Sequence, residues 1–421
     1  MADYQVTSAT FDALLKEDYI TQEIVDAINK ATVFKSNLTR TQTIDGRRAI
    51  YAVQVAVAQG NGSRAEGAAL PNYGAGQFQD AIVNTFSHYA RFIVTGQAEV
   101  FSSRNAFVQF VERTLKDTKE GLMLNIGRQS WGDGTGTISL TSGSTAQGAT
   151  TFTAGSAYGV LWGSVSTNTT MLYRPGMILQ FVNYTTGAVI TTNGGQGYTV
   201  TGITGTTITF SPPLDATVAG GSRVTLVGSY NQEMEGWLKM VATAAFMTGN
   251  TSTTLNLGTT VYHNIDRNTA TVWNGNVTDA SQAALSLTLI RAIKDALFVR
   301  GGQADLCIGS TQVVRDYEAL LTPNQRFVPA IKLEGGATAI EHDGLPFTKD
   351  KDAPSQALNL VKTDEIRWAQ RNDPDFIRQG DQILQKVTGY DMKEAVLRWY
   401  ANLDTPEPRY QAMLYNLNIA P

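Results

Sequence analysis

The residues of this chain that could do chemistry are few, and their contexts point elsewhere. Glu341-His342-Asp343-Gly344 sets two acids around an imidazole, which could serve general acid–base work. It lies between Ile340 and Leu345 in a stretch shaped for a tight hairpin turn, and Asp-Gly supplies the left-handed conformation such a turn needs. Gly132-Asp133-Gly134-Thr135-Gly136 is as glycine-rich as a phosphate cradle. It follows a helical pattern and precedes strand-like sequence, whereas a cradle needs the strand first and the helix N-terminus after it. The three histidines, His88, His263 and His342, share no motif and no metal-ligand spacing, so each reads as a surface residue or one satisfied internally. The single cysteine, Cys307, sits in the strand-like stretch 304–308 and reads as a small buried hydrophobe. It excludes internal disulfides and a cysteine-rich zinc site. No G-x-S-x-G, H-E-x-x-H or Walker pattern occurs. The expectation is a chain with no catalytic residue, no metal and no cofactor.

Composition agrees with a structural role. The hydrophobic fraction of 42% is globular, charged residues are only 17%, and 39 glycines imply many turns. At 421 residues there is room for two or three domains. The net charge of −4 advertises neither nucleic acid nor an anionic membrane. The N-terminus lacks the basic and apolar regions of a signal peptide, and no apolar run is long enough to span a bilayer.

The elements stand out more than the chemistry. Residues 104–130 predict one helix, with Val108, Val111, Leu115, Leu122 and Ile126 on a stripe and Ser103 as its cap. Glu112 with Lys116 and Arg113 with Asp117 add ion pairs one turn apart. Such a rod is roughly 40 Å long. Before it, 47–58 and 78–97 alternate as strands around a Gly/Pro-rich tip at 59–77. This predicts a long hairpin whose arms, about 11 residues each, reach roughly 35 Å. A body of this chain length has a radius of gyration of about 22 Å, so the hairpin can extend past its own subunit. Residues 1–42 read as a polar arm with one short helix near 21–32.

From 137 to 229 lysine and glutamate vanish and Thr, Gly and Ser dominate, which predicts an inserted all-β domain with strands at 177–182, 198–201, 206–210 and 223–227. Further on, 233–246 predicts a helix. Residues 278–300 predict another, capped by Thr278 or Asp279 and stopped by Gly301-Gly302. Strands at 304–309, 327–331, 358–361 and 366–368 and a helix at 311–321 suggest an α/β unit. Residues 390–401 and 409–418 alternate across a Pro-rich turn and predict a C-terminal hairpin.

This order of parts resembles the major capsid protein of tailed bacteriophages. The words that carry the likeness are AEGAALPNYGAGQF at 65–78, WGDGTG at 131–136, Ile265-Asp266-Arg267 with Trp273, and Leu358-Asn359-Leu360-Val361 leading to Asp364-Glu365-Ile366. The resemblance implies an α+β, Hong Kong-type capsid fold: N-terminal arm (1–42), extended β-hairpin loop (43–100), spine helix (101–136), inserted all-β domain (137–229), peripheral domain (230–277 and the hairpin 389–421) and axial domain (278–388). By the same resemblance the extended loop lies over a neighbouring subunit, with Arg47, Arg48, Arg64, Glu66, Leu70 and Pro71 in contact. The charged members of that set also read plainly as solvated ends. The C-terminal turn, with Asp404, Glu407 and Arg409, would lie near three-fold contacts. The implied partners are further copies in pentamers and hexamers, a portal protein, a separate scaffolding protein, a decoration or cement protein and, weakly, packaged double-stranded DNA. The implied location is the virion.

Two departures from relatives matter. No lysine lies between Lys35 and Lys116, so the loop has none for an isopeptide cross-link. The chain also begins almost directly with its arm, so a fused N-terminal scaffolding region is not expected in it. Rival readings are an encapsulin-type cellular shell and, from the low-charge 137–229 stretch, a carbohydrate-binding or adhesin protein.

Overall fold

A computed structural model of the protein describes residues 33–38, 40–101, 104–159, 167–250, 260–321, 330–332, 338–378 and 383–419. The arm before residue 33, its expected helix and the expected cap Ser103 lie outside them. What is described of the arm is part of the body. Phe34 is fully buried, its ring 4.6 Å from that of Trp131 and its N–H donating to the Asp350 carboxylate at 2.7 Å. Arg40–Thr43 then adds a parallel edge strand to Arg367–Gln370.

The long helix runs Arg104–Gln129. Its C-terminal turns are the buried ones: Leu122 and Ile126 join the main core, and Leu124 is buried as well. Arg113 pairs with Asp117 as expected, at 3.0 Å, while Lys116 reaches forward to Glu120 at 3.9 Å. The helix ends where Gly134 and Gly136 take positive φ. A Cβ on Gly136 would sit 2.6 Å from the Ser229 carbonyl oxygen, so the exit turn needs glycine there.

Two sheets flank the helix exit. One is centred on the 13-residue strand Met392–Asp404, which pairs along its length with Phe86–Thr95 and, on its other side, with Arg367–Gln370, Asp375–Phe376 and Gln385–Lys386. The other has the order Asn276–Asp279, Ala412–Tyr415, Leu358–Val361, Leu306–Gly309, Leu345–Lys349, Thr338–His342, Ala330–Lys332. Helices Leu287–Val299 and Thr311–Leu321 cover it with Ile290, Ile293, Leu297, Val313 and Tyr317.

The insertion is a closed barrel. Its strands Thr137–Thr141, Thr151–Ala157, Thr207–Ser211, Tyr198–Thr204, Ile178–Val182 and Arg223–Leu226 pair in that order, all antiparallel, and the last pairs back to the first to seal the ring. Val189–Thr191 hangs on its rim. The interior is aromatic: Phe181 lies 5.4 Å from Phe152, and Tyr198 lies 5.5 Å from Phe210, edge to face.

Four expectations need correction. The two C-terminal strands do not form a hairpin with each other, because Met392–Asp404 belongs to the first sheet and Ala412–Tyr415 to the second. Their alternation is real, but their hydrogen bonds go to distant segments. The 78–97 stretch is two strands, Gln77–Asn84 and Phe86–Thr95, and only the first belongs to the hairpin. The helix expected from 278 starts at Leu287, capped by Ser286, whose Oγ accepts from the Leu289 N–H at 3.3 Å. Asp279 instead ends a strand and accepts from the Ser281 N–H at 2.7 Å, with Ser281 and Gln282 at positive φ. The 233–246 helix is two short ones, Trp237–Val241 and Ala244–Asn250. Buried Arg267 takes the carbonyls of Lys239 and Met240, each at 2.8 Å, which ends the first of them.

The Glu341-His342-Asp343-Gly344 cluster is a turn, between Thr338–His342 and Leu345–Lys349, with Asp343 and Gly344 both at positive φ.

Candidate assembly surface

The hairpin pairs Arg48–Ala56 with Gln77–Asn84. Because directly opposed residues share a face, its register separates two surfaces. One carries Tyr51 with Ala81 and Ala49 with Val83, and it packs on the body: Ala81 and Val83 are buried, and Tyr51 and Val53 lean on the main core. The other carries Ile50 with Ile82 and Gln54 with Phe78, and here Ile50 and Phe78 are 63% and 64% exposed. At the tip Leu70 and Tyr73 are 85% and 97% exposed. Its two limbs cross at Gly60 and Gly74, where a Cβ on Gly60 would sit 2.6 Å from the Gly74 nitrogen. A two-stranded ribbon is marginal alone, and contiguous exposed apolar surface marks an interaction site.

The hairpin root is held by a buried charge cluster that sequence reasoning did not assemble. His263 is buried, with Nε2 3.0 Å from Glu235 Oε2 and Nδ1 3.2 Å from Asp404 Oδ1. These are ion-pair contacts without hydrogen-bond alignment. Asp404 also accepts from the Tyr51 hydroxyl at 2.8 Å and from Arg367 Nε at 2.7 Å, with Arg367 Nη2 in ion-pair contact at 2.6 Å. The Arg367 guanidinium stands 5.1 Å over the Tyr51 ring. The His263 ring stacks on Tyr262 at 3.8 Å, and its carbonyl takes the Ile82 N–H at 2.9 Å. Asn402 Nδ2 donates to the Asn84 carbonyl at 2.9 Å. Both hairpin strands are thus tied to the body by polar contacts at their base.

The electrostatics follow from burial and proximity. Burial alone would push the His263 imidazole down, but the Asp404 and Glu235 carboxylates overcome it and raise its pKa to about 9. Burial pushes Glu235 up, and His263 and Lys239 outweigh it, so Glu235 falls to about 2. Asp404 is likewise held below the usual carboxylate range by His263 and Arg367, against the effect of burial. The His263 imidazolium and the Glu235 and Asp404 carboxylates are therefore charged near neutrality.

The residues expected at subunit contacts divide. Arg47, Arg64, Glu66 and Leu70 are exposed along the hairpin and tip, and Pro71 is half-buried beside Gly62. Arg48 lines a polar cleft of about 330 Å³ at the root, together with Ile82, Asn84, Glu235, Lys239 and His263. Asp404 is not on the surface of the turn at all: it is fully buried and belongs to the root cluster. Glu407 and Arg409 pair at 2.7 Å on the half-exposed turn, with Arg409 5.0 Å over the Tyr410 ring. Glu235, Tyr51, His263 and Arg367 were missed because they lie far apart in the chain and share no motif. Among the described residues no cluster of three or more His, Cys, Asp or Glu is placed to hold a metal, and no helix is long and apolar enough to cross a membrane.

No family model and no curated protein matches the sequence. Solved structures do match. A chain of the cyanophage A-1(L) capsid asymmetric unit is similar over 98% of this chain and 99% of that one, at 13% identity and a TM-score of 0.58. This chain has a phage capsid fold. Within it the hairpin is the extended loop, the 26-residue helix is the spine, and the barrel is the inserted domain. The capsid of Myoviridae phage XM1 is matched over 95% of this chain and 97% of that one, at 8% identity and a TM-score of 0.47. An encapsulin of Synechococcus elongatus is matched over 34% of this chain and 53% of that one, at 10% identity and a TM-score of 0.28.

Proposed function

We propose that this chain is the major capsid protein of a tailed bacteriophage, and that it assembles as pentamers and hexamers into the icosahedral head shell around double-stranded DNA. The observation that carries the reading is the capsid fold over 98% of the chain, extended loop included. The open apolar outer face of that loop supports it, since a neighbouring copy would cover Ile50 and Phe78. Repeated weak contacts add up in a closed symmetric shell.

In this reading Arg47, Arg48, Arg64, Glu66, Leu70 and Pro71 meet the neighbouring subunit and set its register more than its affinity. Glu407 and Arg409 serve the three-fold turn, while buried Asp404 holds the hairpin root through Tyr51, Arg367 and His263. The domain limits proposed from sequence shift in two places: Ala412–Tyr415 pairs with the axial sheet, and Arg367–Gln370, Asp375–Phe376 and Gln385–Lys386 pair with Met392–Asp404 of the peripheral one. A portal protein, a separate scaffolding protein and a decoration protein complete the head. The net charge of −4 suits a wall that contacts packaged DNA only weakly. The role is structural, without chemistry, and the location is the virion.

Electron microscopy of particles purified with this protein tests the reading. A large shell with a portal at one vertex is expected. A small closed shell loaded with enzyme cargo would point to an encapsulin instead, and a protein that stays monomeric beside its partner proteins would end the shell reading. Boiling the particles in detergent should release intact monomers, because the extended loop carries no lysine. A covalent ladder would contradict that.

A further inference from the structure

Exposed hydrophobic side chains scattered singly need no explanation, but grouped ones mark a contact. Four of the five most exposed large hydrophobics among the described residues fall into two pairs, and the fifth is Val100. One pair is Leu70 and Tyr73, on the hairpin tip. The other is Phe298 and Val299, in the last turn of the helix Leu287–Val299, 71% and 83% exposed. That helix buries Ile290, Ile293 and Leu297 and turns Arg291, Lys294 and Asp295 outward, as an amphipathic helix should. Phe298 and Val299 break the pattern. Within one chain the two pairs do not cover each other, since all four side chains stay exposed.

Room lies beside the helix end. Phe298, Gly302 and Gln303 wall two recesses. One, of about 370 Å³, is backed by Leu297, Leu345 and Leu360. The other, of about 420 Å³, is also lined by Tyr410, Lys362 and Glu365. The turn between helix and recesses is fixed. Gly301 takes positive φ, and the Gly302 N–H donates to the Leu297 carbonyl at 3.0 Å. Arg300 Nη1 donates to the Asn274 and Gly275 carbonyls at 2.7 and 3.0 Å. A surface held in this way loses little freedom on binding.

The charges are complementary too. Lys362 is matched by Asp305 and Asp364, at 3.5 and 3.4 Å. Glu365 makes no ion pair among the described residues, and neither does exposed Arg64 on the hairpin tip. Joining two different patches of one chain is a heterologous contact, the kind that closes a ring of copies. We propose that the hairpin tip of one copy docks on the Phe298–Val299 face of a neighbouring copy, with Leu70 and Tyr73 filling the two recesses and Arg64 set against Glu365. The inference rests on the shell reading and names the surface that receives the loop.

The test is cross-linking in assembled particles. Full-length chains carrying Tyr73→Cys and Phe298→Cys are assembled, treated with a short bismaleimide and run on a denaturing gel. Cys307 is buried, and burial pushes its thiol up, so it stays unreactive. Each chain then holds one reactive thiol on each patch, so docking should give linked chains longer than dimers, up to closed rings. Either single variant should stop at dimers, and so should Tyr73→Cys combined with Val189→Cys on the exposed barrel rim. Particles whose Tyr73 and Phe298 positions give no multimers overturn the docking and leave the shell reading standing. Multimers from the Val189 control as well would also overturn it, and a wild type that forms no particles ends both readings. Should the cysteine pair not assemble, charge reversal carries the test. Arg64→Glu or Glu365→Arg alone should cut particle yield several-fold, and the two together should restore it. A double variant that yields no more than either single one overturns the docking.

Discussion

The extended hairpin and the inserted barrel are both antiparallel β structure, and they solve the problem of sheet edges in opposite ways. The barrel closes: Arg223–Leu226 pairs with Thr137–Thr141 on one side and Ile178–Val182 on the other, so its ring leaves no edge. The hairpin stays open, two strands with one face on the body and one bare. The barrel satisfies itself through an aromatic core. The hairpin is satisfied at its root by buried charge, and among the described residues Ile50 and Phe78 of its outer face stay exposed. The difference indicates where the molecule expects company.

Breaking either region at its heart should have the largest effect. Asp404→Ala strips partners from His263, Arg367 and Tyr51 at once, and removing one member of a buried charge cluster costs about 3–5 kcal/mol. Denaturant unfolding of the subunit should show a loss of that size. Phe181→Ala empties the barrel core and should cost about 3–5 kcal/mol as well. Native-state hydrogen exchange should place this loss in the barrel strands and leave the hairpin amides unchanged. Shared loss in both regions would mean that the two are one cooperative unit.

The pH dependence sharpens the contrast, because among the described residues the barrel interior is aromatic and aliphatic and holds no comparable charge cluster. His263 has its folded pKa raised from 6.5 to about 9, so its contribution is complete below pH 6.5 and is lost as pH rises through 9. Glu235 has its pKa lowered from 4.5 to about 2, so its contribution is complete above pH 4.5 and is lost as pH falls through 2. Stability measured by denaturant should decline between pH 6.5 and 9, and His263→Gln should flatten that slope. An unchanged slope in the variant would remove His263 from the account.

The smallest effect on the subunit should accompany a large effect on association. Changing Ile50 and Phe78 to serine touches exposed positions and should shift subunit stability by less than about 0.5 kcal/mol each. Sedimentation should nevertheless show fewer or no large particles. Full assembly would show that the bare face is not a contact.

Much of this contrast was legible in sequence, for reasons that also explain the failures. The first hairpin strand and the spine helix have strong local periods, and the chain obeys them. The Gly/Pro-rich tip and the Asp343-Gly344 turn follow from backbone chemistry that needs no tertiary information. Thr137–Thr141 was read only as strand-like, without bounds, and Thr151–Ala157 and Val189–Thr191 escaped notice. The first two build their faces from Thr, Ser, Gly and Ala as much as from large hydrophobes, which blurs the alternation, and the third is only three residues long. The C-terminal hairpin was misread because alternation reports that a strand exists and not which strand it pairs with. The Asp279 cap failed because an aspartate that can start a helix can equally close a turn after a strand. The root cluster was invisible, since residues 51, 235, 263, 367 and 404 meet only once the hairpin lies on the sheet of Met392–Asp404. Asp404 was therefore assigned to the turn it precedes in sequence instead of the hairpin it holds in space.

The most direct test of the central claim is a reconstruction of the assembled particle at side-chain resolution. The account predicts that the outer face of the hairpin, Ile50 and Phe78 with Leu70 and Tyr73 at the tip, lies buried against a neighbouring copy of this chain. A hairpin whose outer face stays in solvent in the assembled particle, with no copy in contact, would contradict it.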